Sequence, residues 1–308
     1  MRSAAGDLLA QLDDQDRALA VRPFADDATR RWLEYREGRR PGACLAGFTV
    51  AARKAAHRLL ATALSKHSYA QAMSVVALQE VLDREEAWER GRHSGDYWID
   101  IFGDPAADDA WAWRFEGHHL SVAMTVDGDG VSPGPLFLGA NPACVSYAGR
   151  PVSRPLAPEE DLARALLDAL TPAHRAQAVV RGTAPDDIRS GLLPQAPDRI
   201  EPLGVAASRL GPTARAALSQ LVALYLDRLP AELAARQQAR LTELHFAWEG
   251  PVTPGTGHYY RIQGDDLLIE YDNTQDDANH AHTLLRRPRS DFGADILGQH
   301  LRQEHRTS

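Results

Sequence analysis

The sequence predicts an α+β fold, with an antiparallel sheet built from central and C-terminal strands and packed with N-terminal and middle helices. Three observations carry this. Apolar residues recur every three to four positions over the first ninety residues and again from Pro158 to about Ala239, the period of a helix with one buried face. They alternate over 110–140 and from Leu244 onward, the period of a half-buried strand. The resulting order of helices, strands, helices and strands assembles one sheet from segments far apart in sequence. The expectation is a single α+β domain over 1–308, helical over 1–95, strands over 110–140, helical over 158–240, and strands with a final helix over 244–304.

Taken in order, "FTVAARKAAHRLLATALSK" and "SYAQAMSVVALQEVLDREEAWERGR" read as two helices separated by a short His-Ser-Tyr break. Their Arg53, His57 and Lys66 read as solvated positions. "GDYWIDIFGDPAADD" reads as Gly, Pro and Asp punctuation that ends the helical part. "WAWRFEGHHLSVAMTV" and "VSPGPLFLGANPA" are strand-like runs joined at Asp127-Gly128-Asp129-Gly130, a hairpin turn that lacks the remaining ligands of a calcium loop. Thr171 is expected as an N-cap with Pro172 at the first helical position, and "GPTARAALSQLVALYLDRLP" is a helix bounded by Pro at both ends. Between these helices lies "RGTAPDDIRSGLLPQAPDRIEPLG", a long ordered loop or lid candidate. "LHFAWEG" and a hairpin turning at Gly264-Asp265 follow, and then a last helix, "FGADILGQHLRQEH", capped by Asp291.

Composition narrows function by exclusion. The chain has 308 residues, 44% hydrophobic and 25% charged, an ordinary globular balance with room for a well-buried core. A net charge of −8 and a pI near 5.8 disfavour nucleic acid and anionic membranes, which call for a basic face, so a small molecule, as ligand or substrate, or a protein is the expected partner. Cys44 and Cys144 are too few for a disulfide framework or a thiolate zinc site. No run of eighteen apolar residues occurs, and the polar start lacks the apolar core of a secretory signal, which suggests a cytoplasmic protein. Neither a Walker loop, nor G-x-G-x-x-G, nor a G-x-S-x-G elbow occurs.

Alternation gathers the polar residues. In the last hairpin the Gly264-Asp265 turn would pair Ile262 with Leu267, Tyr260 with Ile269 and His258 with Tyr271, making one face apolar and leaving Tyr259, Arg261, Glu270 and Asp272 on the other. Leu244, Phe246 and Trp248 likewise leave His245 opposite. Trp111, Trp113 and Phe115 set an apolar parity that slips by one before Leu120, Val122 and Met124. A bulge at Gly117 accounts for the slip and lets both His118 and His119 join Arg114 and Glu116 on the polar side. His280 and His282, two apart in the loop "NTQDDANHAHTLL", project to one side of an extended chain.

Imidazoles and carboxylates on one face are metal-site chemistry. His118, His119, His245, His280 and His282 are the expected ligands of a divalent transition metal, whether zinc, iron, manganese or copper. Glu270, Asp272 and Glu116 are the expected catalytic or tautomer-fixing carboxylates. Arg114, Arg261 and Tyr259 are the expected substrate contacts. Glu270 with Arg261 also reads as a plain cross-strand ion pair, and His258, on the apolar side, as a core or edge histidine.

The segments "WAWRFEGHHLSVAMTV", "PLFLGANPA", "LHFAWEG", "GHYYRIQGDDLLIEYDNTQDDANHAHTLLRR" and "DFGADIL" together resemble the domain-of-unknown-function 3500 family, from about Arg30 to His300. The resemblance covers the His-His pair, the His-Tyr-Tyr-Arg-Ile strand and the Asn-His-x-His segment. It implies no particular reaction. The family often has Trp where Leu285 stands and an acidic residue where Arg287 stands, so it assigns Arg287 no role. Many of its members are exported, whereas this chain shows no signal. Three functional classes follow from the residues: a metal-dependent hydrolase acting on a small polar or anionic molecule, a non-haem iron or copper oxidoreductase, and a non-catalytic ligand-binding protein.

Overall fold

The computed structural model describes residues 1–294, and the predicted last helix falls outside them from residue 295 onward. The N-terminal part comprises α1 (Arg2–Leu9), α2 (Asp14–Ala20), β1 (Val21–Arg22), α3 (Asp27–Arg30), β2 (Ala43–Cys44), α4 (Val50–Ala61) and α5 (Lys66–Glu85). A meander follows: β3 (Tyr97–Phe102), β4 (Ala110–Gly117), β5 (Leu120–Asp127) and β6 (Gly130–Ala140), then a small hairpin of β7 (Val145–Tyr147) and β8 (Arg150–Ser153). The middle part holds α6 (Ala157–Ala169), α7 (Pro172–Ala178), β9 (Val179–Arg181), β10 (Val205–Ala206), α8 (Pro212–Leu226) and α9 (Ala231–Ala239). A second meander closes it: β11 (His245–Glu249), β12 (Tyr259–Gly264), β13 (Leu267–Gln275) and β14 (His280–Arg286).

Twelve strands form one mostly antiparallel sheet, ordered β1-β3-β4-β5-β6-β14-β13-β12-β11-β10, with β2 beside β3 and β9 beside β11. The two meanders join where β6 pairs with β14, Leu138 opposite Thr283 and Gly139 opposite His282. Helix starts are set by local chemistry: Thr49, Ser65 and Thr171 each accept a backbone N–H of their own first turn. The helices pack on the apolar face, where Trp113, Phe115, Leu136, Phe246, Trp248, Tyr260 and Ile269 join Leu59, Leu78, Leu166 and Leu221 in one core. Each such side chain contributes roughly 1.5–3 kcal/mol by leaving water.

The pairing registers put Arg114, Glu116, Tyr259, Arg261, Glu270, Asp272 and His245 on the opposite face, the arrangement that alternation predicts. That face is not open. Leu33, Tyr35, Ala123, Phe137, Ile188, Leu284 and Phe292 form a second, smaller core on it, bringing in the loop after α3 and the segment 182–204. The lid candidate is therefore an ordered strap. Its Ile200 backbone and Gln263 side chain exchange hydrogen bonds of 2.8 and 3.0 Å, and Arg286 donates to the carbonyls of Leu193 and Pro194.

Five local readings change. "YWIDIF", read as punctuation, is the strand β3, whose Asp100 is buried between Arg22 and Arg114. Gly117 is no bulge: β4 and β5 pair regularly to Gly117 opposite Leu120, and His118-His119 is the two-residue turn between them. A turn reverses the chain and so produces the same one-residue parity slip. The C-terminal hairpin turns at Asp265-Asp266, so Ile262 faces Ile269 and Tyr260 faces Tyr271; a register error of two leaves every face unchanged. The His280–His282 segment, read as a loop, is an internal strand of the sheet. His57 is half-buried against Tyr69 and Phe115 rather than solvated.

Candidate metal centre

The β4–β5 turn delivers His119 to the polar face. His119 takes a left-handed backbone, φ 62°, which a non-glycine residue adopts only when its surroundings hold it there. Its N–H donates to the Tyr35 carbonyl at 2.9 Å, and the Tyr97 hydroxyl donates to the His118 carbonyl at 3.0 Å. Gly117 has a separate reason to be glycine: a Cβ there would lie 2.2 Å from the Tyr97 ring. Gly139 on β6 serves His119 directly, since a Cβ would lie 2.8 Å from the His119 ring, and its N–H donates to the His119 carbonyl at 2.7 Å. The ring thus lies across the strand in space that only glycine leaves.

β14 brings His280 and His282 to the same place. The Nε2 atoms of His119 and His280 are 2.8 Å apart, and nitrogens of His119, His280 and His282 lie within 4.8 Å of one another. Two imidazoles sharing one ion at ~2.0–2.1 Å each have their nitrogens about 3 Å apart, so the spacing fits a common ligand position. The outer nitrogens are held by carboxylates: His282 Nδ1 lies 2.8 Å from Asp187, and His280 Nδ1 lies 3.1 Å from Asp276. Asp187 also accepts from the Tyr35 hydroxyl at 2.9 Å. Asp272, opposite His282, accepts from the Thr274 hydroxyl and groups with Asp187 and His282 as a second set of potential ligands.

Three buried atoms in this cluster have no hydrogen-bond partner: His119 Nδ1, His282 Nε2 and Asp272 Oδ2. A buried polar atom so placed costs about 1–3 kcal/mol, and several together point to an ion or ordered water. Electrostatics prepares the ligand form. Burial and the neighbouring imidazoles hold His119 well below its ordinary range, and burial with His282 beside it lowers His280 to about 4. Neutral imidazole is the form that binds metal. Burial pushes Asp272 up to about 7, whereas for Asp187 burial is outweighed by the hydrogen bonds from His282, the Ile188 N–H and Tyr35 together with the His282 charge, which keep the carboxyl low.

The structure brings together His119, His280, His282 and Asp272 of the residues expected from sequence. His118 is adjacent, its ring stacked on His119 with centroids 3.8 Å apart, but its Nδ1 is 2.8 Å from Gln79 Oε1. His245 is not brought there. It lies in a separate cleft with Asp198, Arg199 and Glu243, and six strand spacings, about 29 Å, separate its strand from β4. Glu270 is an anchor for the strap, accepting from Tyr259, from the backbone of Arg189 and from Ser190. Arg261 pairs with Glu249 at 2.6 Å rather than with Glu270. Glu116 accepts from Ser121 and from the Glu34 N–H, and Arg114 pairs with Asp100. These are buried structural networks. His258 is buried between Trp248 and Tyr271 on the apolar side. Arg287 donates to two backbone carbonyls. Asp187, Tyr35, Asp276 and Gly139 went unrecognised, and only the Asp186-Asp187 pair within the lid candidate offered a signal.

A family model described as a protein of unknown function (DUF3500) matches residues 1–294. The chain belongs to the DUF3500 family. No curated protein and no solved structure matches it. For this DUF3500 chain the histidine cluster is therefore read from its own geometry. Among the described residues no helix is long and apolar enough to cross a membrane.

Proposed function

We propose that this chain is a metal-dependent enzyme, hydrolase-like in its chemistry, acting on a small polar or anionic molecule. The observation that supports it is the convergence of three imidazoles, two of them held from behind by carboxylates, on one spot with unsatisfied polar atoms. His119, His280 and His282 would hold a divalent transition metal, and Asp187 and Asp276 would fix the ring orientations. Such an ion supplies Lewis acidity. Asp272, half-titrated near neutrality and within the same cluster, is the group suited to take and return a proton. Tyr35 holds Asp187 and closes the far side with its ring 5.1 Å from His282.

Elemental analysis of protein purified without a histidine tag or chelator tests the reading, with His119→Ala and His282→Ala beside the wild type. Stoichiometric zinc or manganese, lost in both variants, supports it. Coloured protein with iron or copper on the same ligands would move the reading to an oxidoreductase. Wild-type protein that takes up none of the four metals on loading ends it.

A further inference from the structure

Beside the histidine cluster a cleft of about 650 Å³ opens where residues 37–44, the later part of α5 and residues 90–98 meet. Four arginines and two carboxylates, Glu37 and Asp96, line it. Their arrangement is specific. Arg90 donates to one oxygen of Glu37, and Arg92 NH1 lies 2.6 Å from the other. Glu37 belongs to a surface loop, its side chain nearly half exposed. Arg92 is not loose: Glu86 takes its Nε and NH2 at 2.5 and 2.8 Å, which fixes the guanidinium and leaves NH1 turned to Glu37 and, at 3.4 Å, to His118. Arg40 donates to the carbonyls of Glu34, Arg36 and Gly38, which fastens the loop that carries Glu37. Arg39 is exposed and makes no ion pair among the described residues.

Deeper in the same cleft, Gln79 is 3% exposed, and its Oε1 is used by His118 while its Nε2 has no partner. This amide donor, on a residue that lines the arginine-rich cleft and beside the Tyr97 hydroxyl, is open to an acceptor from outside. His118 forms the shared wall, facing the cleft on one side and stacking on His119 on the other.

We propose that this cleft binds the carboxylate or phosphate group of a small anionic molecule between Arg90 and Arg92, in the place that the Glu37 carboxylate now takes, with Gln79 Nε2 as a further donor. Glu37 is a displaceable internal anion, and two guanidiniums each meeting one of its oxygens by a charge-assisted hydrogen bond would meet two oxygens of a bound carboxylate or phosphate in the same way. That the cleft is the substrate side of the proposed centre rests on the metal reading; that it binds anions does not.

Titration calorimetry on the chelator-treated full chain, with inorganic phosphate and with succinate as separate probes, decides it. Glu37→Gln should bind one or both probes about tenfold more tightly than wild type, and Arg92→Gln about tenfold more weakly. The stronger probe distinguishes phosphate from carboxylate. Arg236→Gln, which breaks an exposed helix ion pair elsewhere, should match wild type. An unchanged or weaker affinity in Glu37→Gln, or no heat from either probe in both wild type and Glu37→Gln, overturns the anion site. His119→Ala separates the two readings, since it should lose metal and keep wild-type anion affinity. Imidazole NMR signals of His118 that shift on probe addition support the link to the centre, and signals that stay fixed while the anion binds overturn that link.

Discussion

Gly139→Ala adds one methyl group and no charge, yet it should disable the centre. The new Cβ would stand 2.8 Å from His119 Cδ2, 3.0 Å from Cγ and 3.1 Å from the carbonyl oxygen of Ala281. Ordinary carbon contacts need ~3.5–4.0 Å, so the ring must retreat by roughly half an ångström to one ångström. It has little room to do so, with the His118 ring stacked against it and its backbone held at φ 62°. The retreat moves Nε2 from its position 2.8 Å from His280 Nε2. Displacing a ligand's support typically lowers metal affinity about 10- to 100-fold, equivalent to roughly 1.4–2.8 kcal/mol, and overpacking lowers stability by about 1–3 kcal/mol. Competition against a chromophoric chelator, with the melting temperature of the metal-free protein measured alongside, reads both. Wild-type metal affinity in Gly139→Ala would refute the placement of His119 in the centre.

Three further outcomes are expected. His245→Ala should keep full metal content while His282→Ala loses it, by elemental analysis, because only the second lies in the cluster. Glu270→Gln should retain metal but lose about 2–4 kcal/mol of stability, since its carboxylate receives Tyr259, Ser190 and the Arg189 backbone; chemical denaturation and faster proteolysis within 182–204 check this, and faster metal loss with unchanged stability would contradict it. Burial holds His258 at about 4 against its ordinary 6.5, so the unfolded chain binds a proton that the folded chain refuses as pH falls between those values. Stability is therefore intact above about 6.5 and declines toward 4, by roughly 2–3 kcal/mol from this group; His258→Phe should flatten that part of the stability–pH curve, and an unaltered slope would sink the assignment.

Period-two alternation made the sheet's two faces legible, because a strand buried on one side must place Trp111, Trp113 and Phe115 together and Arg114 and Glu116 opposite. Parity is robust to register, so misplacing the last hairpin by two residues changed no face. It says nothing of distance along the sheet, and for that reason His245 and His119 seemed companions although five strands separate theirs. The Gly-His-His turn hid because neither histidine advertises a turn, and His119 pays for its left-handed backbone through contacts with Tyr35 and Gly139 that only the tertiary fold supplies. Asp187 and Tyr35 lie in segments with no period at all, placed by the second core over the polar face. In "YWIDIF" the central Asp100 masked a strand, since a buried aspartate becomes tolerable only with Arg22 and Arg114 beside it.

The junction of β6 with β14 gives the histidine cluster a mechanical meaning. His119 belongs to the first meander and His280 and His282 to the second, and 161 residues separate His119 from His280. Closing a loop of that length costs entropy before any contact between the meanders returns it. An ion gripped from both sides would rivet the sheet at its seam, so by linkage its affinity and the resistance of the two halves to parting would rise and fall together.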